Sequence, residues 1–184
     1  MNKTRIKDYM SIIKKLEKTS AGGVLKVSKD PAEGRVYFCN GCSILSITYN
    51  TYYDLLKADA DCDLLKITED AADPYKKFMD DFNNEETTNG RDLPFMFNIY
   101  DKTCNIIKSF TAAGDAVFTV VNSVYFSIMK TLDKYDAAPI RCAAENANKK
   151  PVSICDPYTE SVFLVLPVLC PDLAQKAAAA FNIK

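Results

Sequence analysis

The chain is predicted to be an α+β domain built from two β-α-β-β-β units, each placing one helix on antiparallel strands. Two observations predict this. First, the sequence matches itself at a shift of 116 positions: Tyr9-Met10-Ser11-Ile12-Ile13-Lys14-Lys15-Leu16-Glu17-Lys18 falls on Tyr125-Phe126-Ser127-Ile128-Met129-Lys130-Thr131-Leu132-Asp133-Lys134. The match runs on without a gap through Ala21/Ala137, Val36/Val152 and Cys39/Cys155, giving nine identities in 31 positions. Such internal similarity marks a duplicated structural unit. Second, each matched stretch has helical apolar spacing, then a Gly or Pro break, then short β-rich runs.

The elements follow in order. In the first unit Tyr9, Ile12, Ile13 and Leu16 form a helical apolar stripe, and Gly22-Gly23 ends it. Strands are expected at Val24–Val27, Arg35–Cys39 and Ser43–Thr48, with Asn40-Gly41 as a hairpin turn. Met1–Ile6 alternates enough to be read as a leading strand. In the second unit Ala116–Val120 is the leading strand and Asn122 or Ser123 caps a helix whose stripe is Val121, Val124, Tyr125, Ile128 and Leu132. Pro139 breaks it, and strands follow at Ile140–Ala143, Val152–Cys155 and Ser161–Leu166.

The organisation is then a single domain: unit one over residues 1–48, an insert over 49–115, unit two over 116–170 and a C-terminal helix over 171–184. Within the insert, Asp61–Ile67 is expected as a strand. Asp73-Pro74 opens a short helix with Tyr75, Phe78, Met79 and Phe82 on one face. Asn83–Arg91 is polar and reads as a loop, and Pro94–Tyr100 with Cys104–Phe110 as a hairpin. The alanine-rich run Asp172–Phe181 is the terminal helix.

The composition excludes several functions. The chain has 184 residues, 23 basic against 24 acidic side chains, seven cysteines and no histidine or tryptophan. Without histidine there is no Ser-His-Asp or Cys-His pair, no histidine base and no His-ligated zinc. No nucleotide-binding glycine loop is present either, so a non-enzymatic protein without a cofactor is expected. A net charge of −1 excludes a strongly basic coat but leaves room for a basic stripe. No run reaches the roughly 18 apolar residues of a membrane helix, and the charged start MNKTRIKDYM lacks the apolar core of a signal peptide. A cytoplasmic protein without membrane association is the expectation. Cys39-Asn40-Gly41-Cys42 has CxxC spacing, open to a redox or metal role as well as to a plain turn.

The chemistry-bearing residues are lysines on the two matched helices. At about 100° per residue, Lys7, Ser11, Lys14 and Lys18 fall within about 60° of one another, and Ser123, Ser127, Lys130 and Lys134 repeat the stripe. Each stripe lies beside the apolar face, as a surface holding a phosphate backbone without base readout requires.

The closing segment, a helix with Asn122-Ser123-Val124-Tyr125-Phe126 and Leu132, then Lys150-Pro151-Val152-Ser153-Ile154, then Leu166-Pro167-Val168, resembles the end of a bacterial DNA polymerase sliding clamp domain. Phe38-Cys39-Asn40-Gly41-Cys42-Ser43-Ile44-Leu45 resembles that family's hairpin, and Met1–Ile6 with its helix is similar to a clamp N-terminus. The resemblance implies a clamp-like fold with two helices facing double-stranded DNA. It also implies a homo-oligomer, and a polymerase or other replication protein as partner. Clamp chains hold several such domains, whereas this chain has one pair of units. Leu169-Cys170 stands where the family's terminal motif has arginine. The functional expectation is a clamp-like accessory protein of DNA replication or of a mobile element. The alternatives are a clamp-fold protein-interaction module without DNA binding and a small CxxC redox or metal protein.

Overall fold

The computed structural model describes residues 1–69, 72–99, 102–134 and 139–169. Helix α1 (Lys3–Lys18) is followed by a meander of β1 (Lys26–Asp30), β2 (Arg35–Cys39) and β3 (Ser43–Thr48). Helices α2 (Tyr49–Ala58) and α3 (Asp73–Asn83) come next, then strands β4 (Thr87–Ile99), β5 (Lys102–Phe110) and β6 (Ala116–Asn122). Helix α4 (Ser123–Asp133) leads into a second meander of β7 (Ile140–Ala143), β8 (Val152–Asp156) and β9 (Ser161–Val165).

The nine strands form one sheet in the order β1-β2-β3-β9-β8-β7-β4-β5-β6, and every neighbouring pair is antiparallel. The two meanders therefore meet at β3 and β9, with Ile44 opposite Leu164 and Leu45 opposite Phe163. Successive side chains in a strand point to opposite faces. Val36, Phe38, Leu45, Phe163 and Val165 accordingly join the main core with Tyr9, Ile12, Leu16, Leu55, Tyr125, Ile128 and Leu132 of α1, α2 and α4. Tyr37, Ile44 and Leu164 point the other way and are covered by Met79 and Phe82 of α3. Covered on both faces, β3 and β9 are buried along almost their whole length, Ser43, Ser46 and Ser161 included.

Several expectations need correction. Met1–Ile6 is not a strand. The Asn2 side chain accepts a hydrogen bond from the Arg5 N–H at 2.9 Å, so the helix begins at Lys3. The first unit is thus α-β-β-β, and only α4 has a leading strand, β6. Asp61–Ile67 is also not a strand. Its centre is a 3-10 turn at Asp63–Leu65 that buries Leu65 completely, and the Tyr52 hydroxyl donates to the Leu65 carbonyl at 2.6 Å. Tyr49–Ala58, a β-favouring run of tyrosines and threonine, is a helix because the Thr48 side chain caps it and Tyr52 and Leu55 share one buried face.

Nor is Asn83–Arg91 a loop. Thr87–Gly90 pair with β7 and Arg91 begins the pairing with β5. Asn89-Gly90 makes no turn, since a Cβ on Gly90 would stand 2.7 Å from Ile107 Cγ2 and 2.8 Å from Cys142 Sγ. Glycine is there for close packing. The β4–β5 register shifts between Leu93 and Met96, where Pro94 has no N–H to give the ladder. The helix expected to open at Asp73-Pro74 is present as α3, with Met79 and Phe82 buried on its apolar face. The expected strand Val24–Val27 lies at Lys26–Asp30, and Val121 closes β6 rather than opening α4. The terminal helix at Asp172–Phe181 lies outside the described residues. Among those described, no helix is long and apolar enough to cross a membrane.

Gly90→Ala tests the packing at β4. Alanine would ordinarily suit a strand better than glycine, but here the methyl overpacks, and a loss of about 1–3 kcal/mol is expected. A urea midpoint equal to that of the parent chain would contradict this close packing.

Candidate nucleic-acid interface

Helices α1 and α4 lie side by side on one face of the sheet and run antiparallel. Lys134 at the end of α4 donates to Asp8 near the start of α1 at 3.0 Å, and Lys15 donates to the Ser127 hydroxyl at 3.1 Å. Their outer faces are the surface on which the sequence places its lysine stripes.

The two halves differ. On α1, Lys7, Ser11, Lys14 and Lys18 are all exposed, and among the described residues none of the three lysines has an ion pair. A groove of about 590 Å³ lies between this stripe and the end of α2, lined by Lys3, Ile6, Lys7, Met10, Ser11, Lys14, Ala58 and Asp59. On α4 the same positions are engaged. Lys130 pairs with Asp92 of β4 at 3.4 Å and lies 5.4 Å from the centre of the Phe126 ring. Lys134 is held by Asp8. Ser123 donates to Asn105 Oδ1 at 2.6 Å, and Ser127 donates to the Val124 carbonyl at 2.7 Å while accepting from Lys15. The sequence reading treats the stripes as equal. It misses Asp92 because that residue comes from a distant strand.

The helices are held in register by two buried polar contacts that sequence reasoning did not find. The Tyr9 hydroxyl on α1 reaches the β8–β9 turn, 3.1 Å from Asp156 Oδ2 and 2.7 Å from Thr159 Oγ1. The Tyr125 hydroxyl on α4 reaches the β2–β3 turn, where Asn40 Nδ2 donates to it at 3.0 Å. Each helix therefore fastens to the turn of the other meander. The signal was available: the 116-residue shift pairs Tyr9 with Tyr125, Asn40 with Asp156 and Ser43 with Thr159. Asp156, fully buried, also accepts two hydrogen bonds from the Arg5 guanidinium, at 3.2 and 3.0 Å. Burial pushes the Tyr9 phenol well above the ordinary range, so it stays protonated and able to donate.

The CxxC segment is the tip of this architecture. Asn40 Oδ1 accepts from the Cys42 and Ser43 N–H groups at 3.1 and 2.9 Å, and Gly41 takes a left-handed φ of 88°. Cys39 is half-buried, and burial raises its thiol pKa, opposite to the activation a redox thiol needs. The segment follows a strand and opens no helix. On the far side of the sheet, Cys39, Ile44, Pro74, Tyr75, Phe78 and Leu166 line an apolar hollow of about 260 Å³.

Asp156→Ala would remove the buried carboxylate that accepts two hydrogen bonds from Arg5 and one from Tyr9, and a loss of about 3 kcal/mol is expected. Tyr9→Phe should cost about 1 kcal/mol. Urea unfolding checks both, and an Asp156→Ala chain within about 0.5 kcal/mol of the parent would exclude the contact as structural. The raised phenol also gives an alkaline dependence. Its folded pKa exceeds the unfolded value of about 10. Its stabilising effect is therefore whole below about pH 10 and lost as pH rises beyond it, and Tyr9→Phe should make this alkaline decline shallower. No protein-family model matches the chain, and no curated protein or solved structure matches it.

Proposed function

We propose that the chain is a non-catalytic, clamp-like accessory protein of DNA replication or of a mobile element, acting in the cytoplasm as a homo-oligomer. In this reading α1 and α4 face double-stranded DNA. The observation that carries it is the exposed row Lys7, Lys14 and Lys18 on α1, free of ion pairs among the described residues, beside an antiparallel α4. The arrangement of two helices on one sheet, each leading into a three-stranded meander, supports the clamp-like comparison. Exposed lysines that make no ion pair hold phosphates by charge alone. They release counterions and read no bases, so binding is weak and salt-sensitive. A polymerase or other replication protein is the expected partner.

The contacts on α4 refine the reading. Lys130 and Lys134 must leave Asp92 and Asp8 before they can hold phosphates, so α1 carries most of the contact. The same two ion pairs favour a second reading, a clamp-fold interaction module without DNA binding. The apolar hollow beside Leu166 would then hold the protein partner.

Duplex DNA retention at about 50 mM salt, with light scattering for the assembly, separates the two. Replacing Lys7, Lys14 and Lys18 by Ala together should abolish retention or lower the salt slope by about three units. Replacing Lys130 and Lys134 should do less. A strict monomer that retains no DNA would sink the first reading, and unchanged retention by the triple variant would remove α1 as its DNA face.

A further inference from the structure

The face of the sheet away from α1 and α4 carries a row of cations on β7, β4 and β5. Cys142 of β7 and Ile107 of β5 belong to the main core under the helices. Side chains alternate along a strand, so their neighbours Arg141 and Lys108 point to the opposite side. The register brings Arg91 of β4 to the same side. Arg91 stands directly opposite Lys108, and Arg141 stands opposite Asn89, two residues before Arg91. Two strand spacings and a two-residue step put Arg141 and Lys108 about 12 Å apart at the backbone, with Arg91 between them.

None of these three cations makes an ion pair among the described residues. Asp92, the carboxylate next to Arg91, points to the α4 side and pairs with Lys130. Like charges directly opposite on neighbouring strands destabilise a sheet, so Arg91 and Lys108 stand together at a cost to the fold. Arg91 is exposed, and Arg141 and Lys108 are half-buried. The Arg141 guanidinium is held in place. Its Nε donates to Thr87 Oγ1 at 3.2 Å, and its carbon lies 5.7 Å from the centre of the Phe82 ring on α3. That leaves its two terminal nitrogens for a ligand. Phe110 extends the row along β5. It is 46% exposed, and the Lys108 ammonium lies 5.3 Å from its ring centre.

Arginine's planar fork suits phosphate oxygens, and an exposed ring among cations offers a stacking surface to any base. A duplex supplies phosphates with its base faces hidden, and an acidic peptide supplies carboxylates without bases. A single strand supplies both phosphates and open base faces. We propose that Arg141, Arg91, Lys108 and Phe110 bind single-stranded nucleic acid without base readout, the three cations holding phosphates and Phe110 stacking on a base. This surface lies on the other side of the sheet from the α1 lysines, and the inference stands whether or not those hold duplex DNA.

Fluorescence anisotropy of a labelled oligothymidylate of about 15 nucleotides, at about 50 mM salt, tests it in the full chain. Arg91→Ala and Lys108→Ala together should weaken binding about tenfold or more and lower the salt slope by about 1.4 units. Phe110→Ala should weaken it about fivefold or more with the slope unchanged. An oligouridylate of equal length should follow the same pattern. The urea midpoint of the double variant should equal or exceed that of the parent, because a like-charge pair is removed. Replacing Lys7, Lys14 and Lys18 by Ala should leave oligothymidylate binding within about twofold of the parent, while its effect on duplex retention decides the α1 reading separately. A parent chain that does not bind oligothymidylate overturns the proposal. So does unchanged binding by both the double variant and Phe110→Ala, or an equal loss in the α1 triple variant. Polyglutamate that displaces the oligothymidylate at equal charge concentration would overturn it too, by showing an acidic protein segment as the ligand.

Discussion

The structure depends on how its two meanders are joined. Strands β3 and β9 pair along the middle of a nine-stranded sheet, and both are covered on both faces. A seam of this kind has no polar face with which to slide, since a one-residue slip would send Phe163 and Leu164 to the wrong sides. The helices that follow from this, α1 and α4, have to lie over the same strands. What fixes them there is polar: Tyr9 to Asp156 and Thr159, Tyr125 to Asn40. Because each tyrosine fastens to the turn of the other meander, neither helix can settle without both halves of the sheet being formed. Apolar burial supplies most of the driving force, and the exchanged hydroxyl contacts select one relative placement from those that burial alone would tolerate.

Much of this was legible in the sequence, and the misses have physical reasons. The helical stripes and the strands Arg35–Cys39 and Ser43–Thr48 were readable because local periodicity and burial agree there. The CxxC segment was readable as a hairpin turn because Gly41 is exposed and free to take a left-handed φ of 88°. The leading strand at Met1–Ile6 failed because a single cap residue, Asn2, outweighs weak alternation. Tyr49–Ala58 was missed because β-branched and aromatic residues report fit to a surface rather than a backbone preference, and this surface is a core under α1. Gly90 misled in the opposite direction: an Asn-Gly pair is a turn signal only where the space around the glycine is open, and here Ile107 and Cys142 fill it.

The candidate surface was legible in its residues and not in its charge balance. The eight positions on the two helices do point away from the core or lie at its margin. Helical geometry could place them, but only the fold could bring Asp92 and Asp8 to two of the four lysines that repeat between the helices. An even stripe thus becomes a lopsided one, with exposed lysines that make no ion pair among the described residues on α1 and ion pairs on α4. Exposed pairs of this kind contribute little to stability. Their effect is to set how much of the surface potential is available to a ligand without a competing step.

That lopsidedness also bears on the missing histidines and the balanced net charge. The chain holds no histidine, and the potential of this surface is governed by salt and by which carboxylates are near. With 23 basic and 24 acidic side chains, a protein cannot attract a polyanion through its overall charge. It has to do so by segregation, keeping carboxylates away from one surface. On the α1 side Lys7, Lys14 and Lys18 make no ion pair among the described residues although Asp59 lines the adjoining groove, and on the α4 side Lys130 and Lys134 are paired with Asp92 and Asp8. A ligand that neutralises only the α1 row leaves those pairs intact. One that spans both helices has to displace them, so the two ion pairs are a cost met only by a ligand that reaches α4 as well as α1.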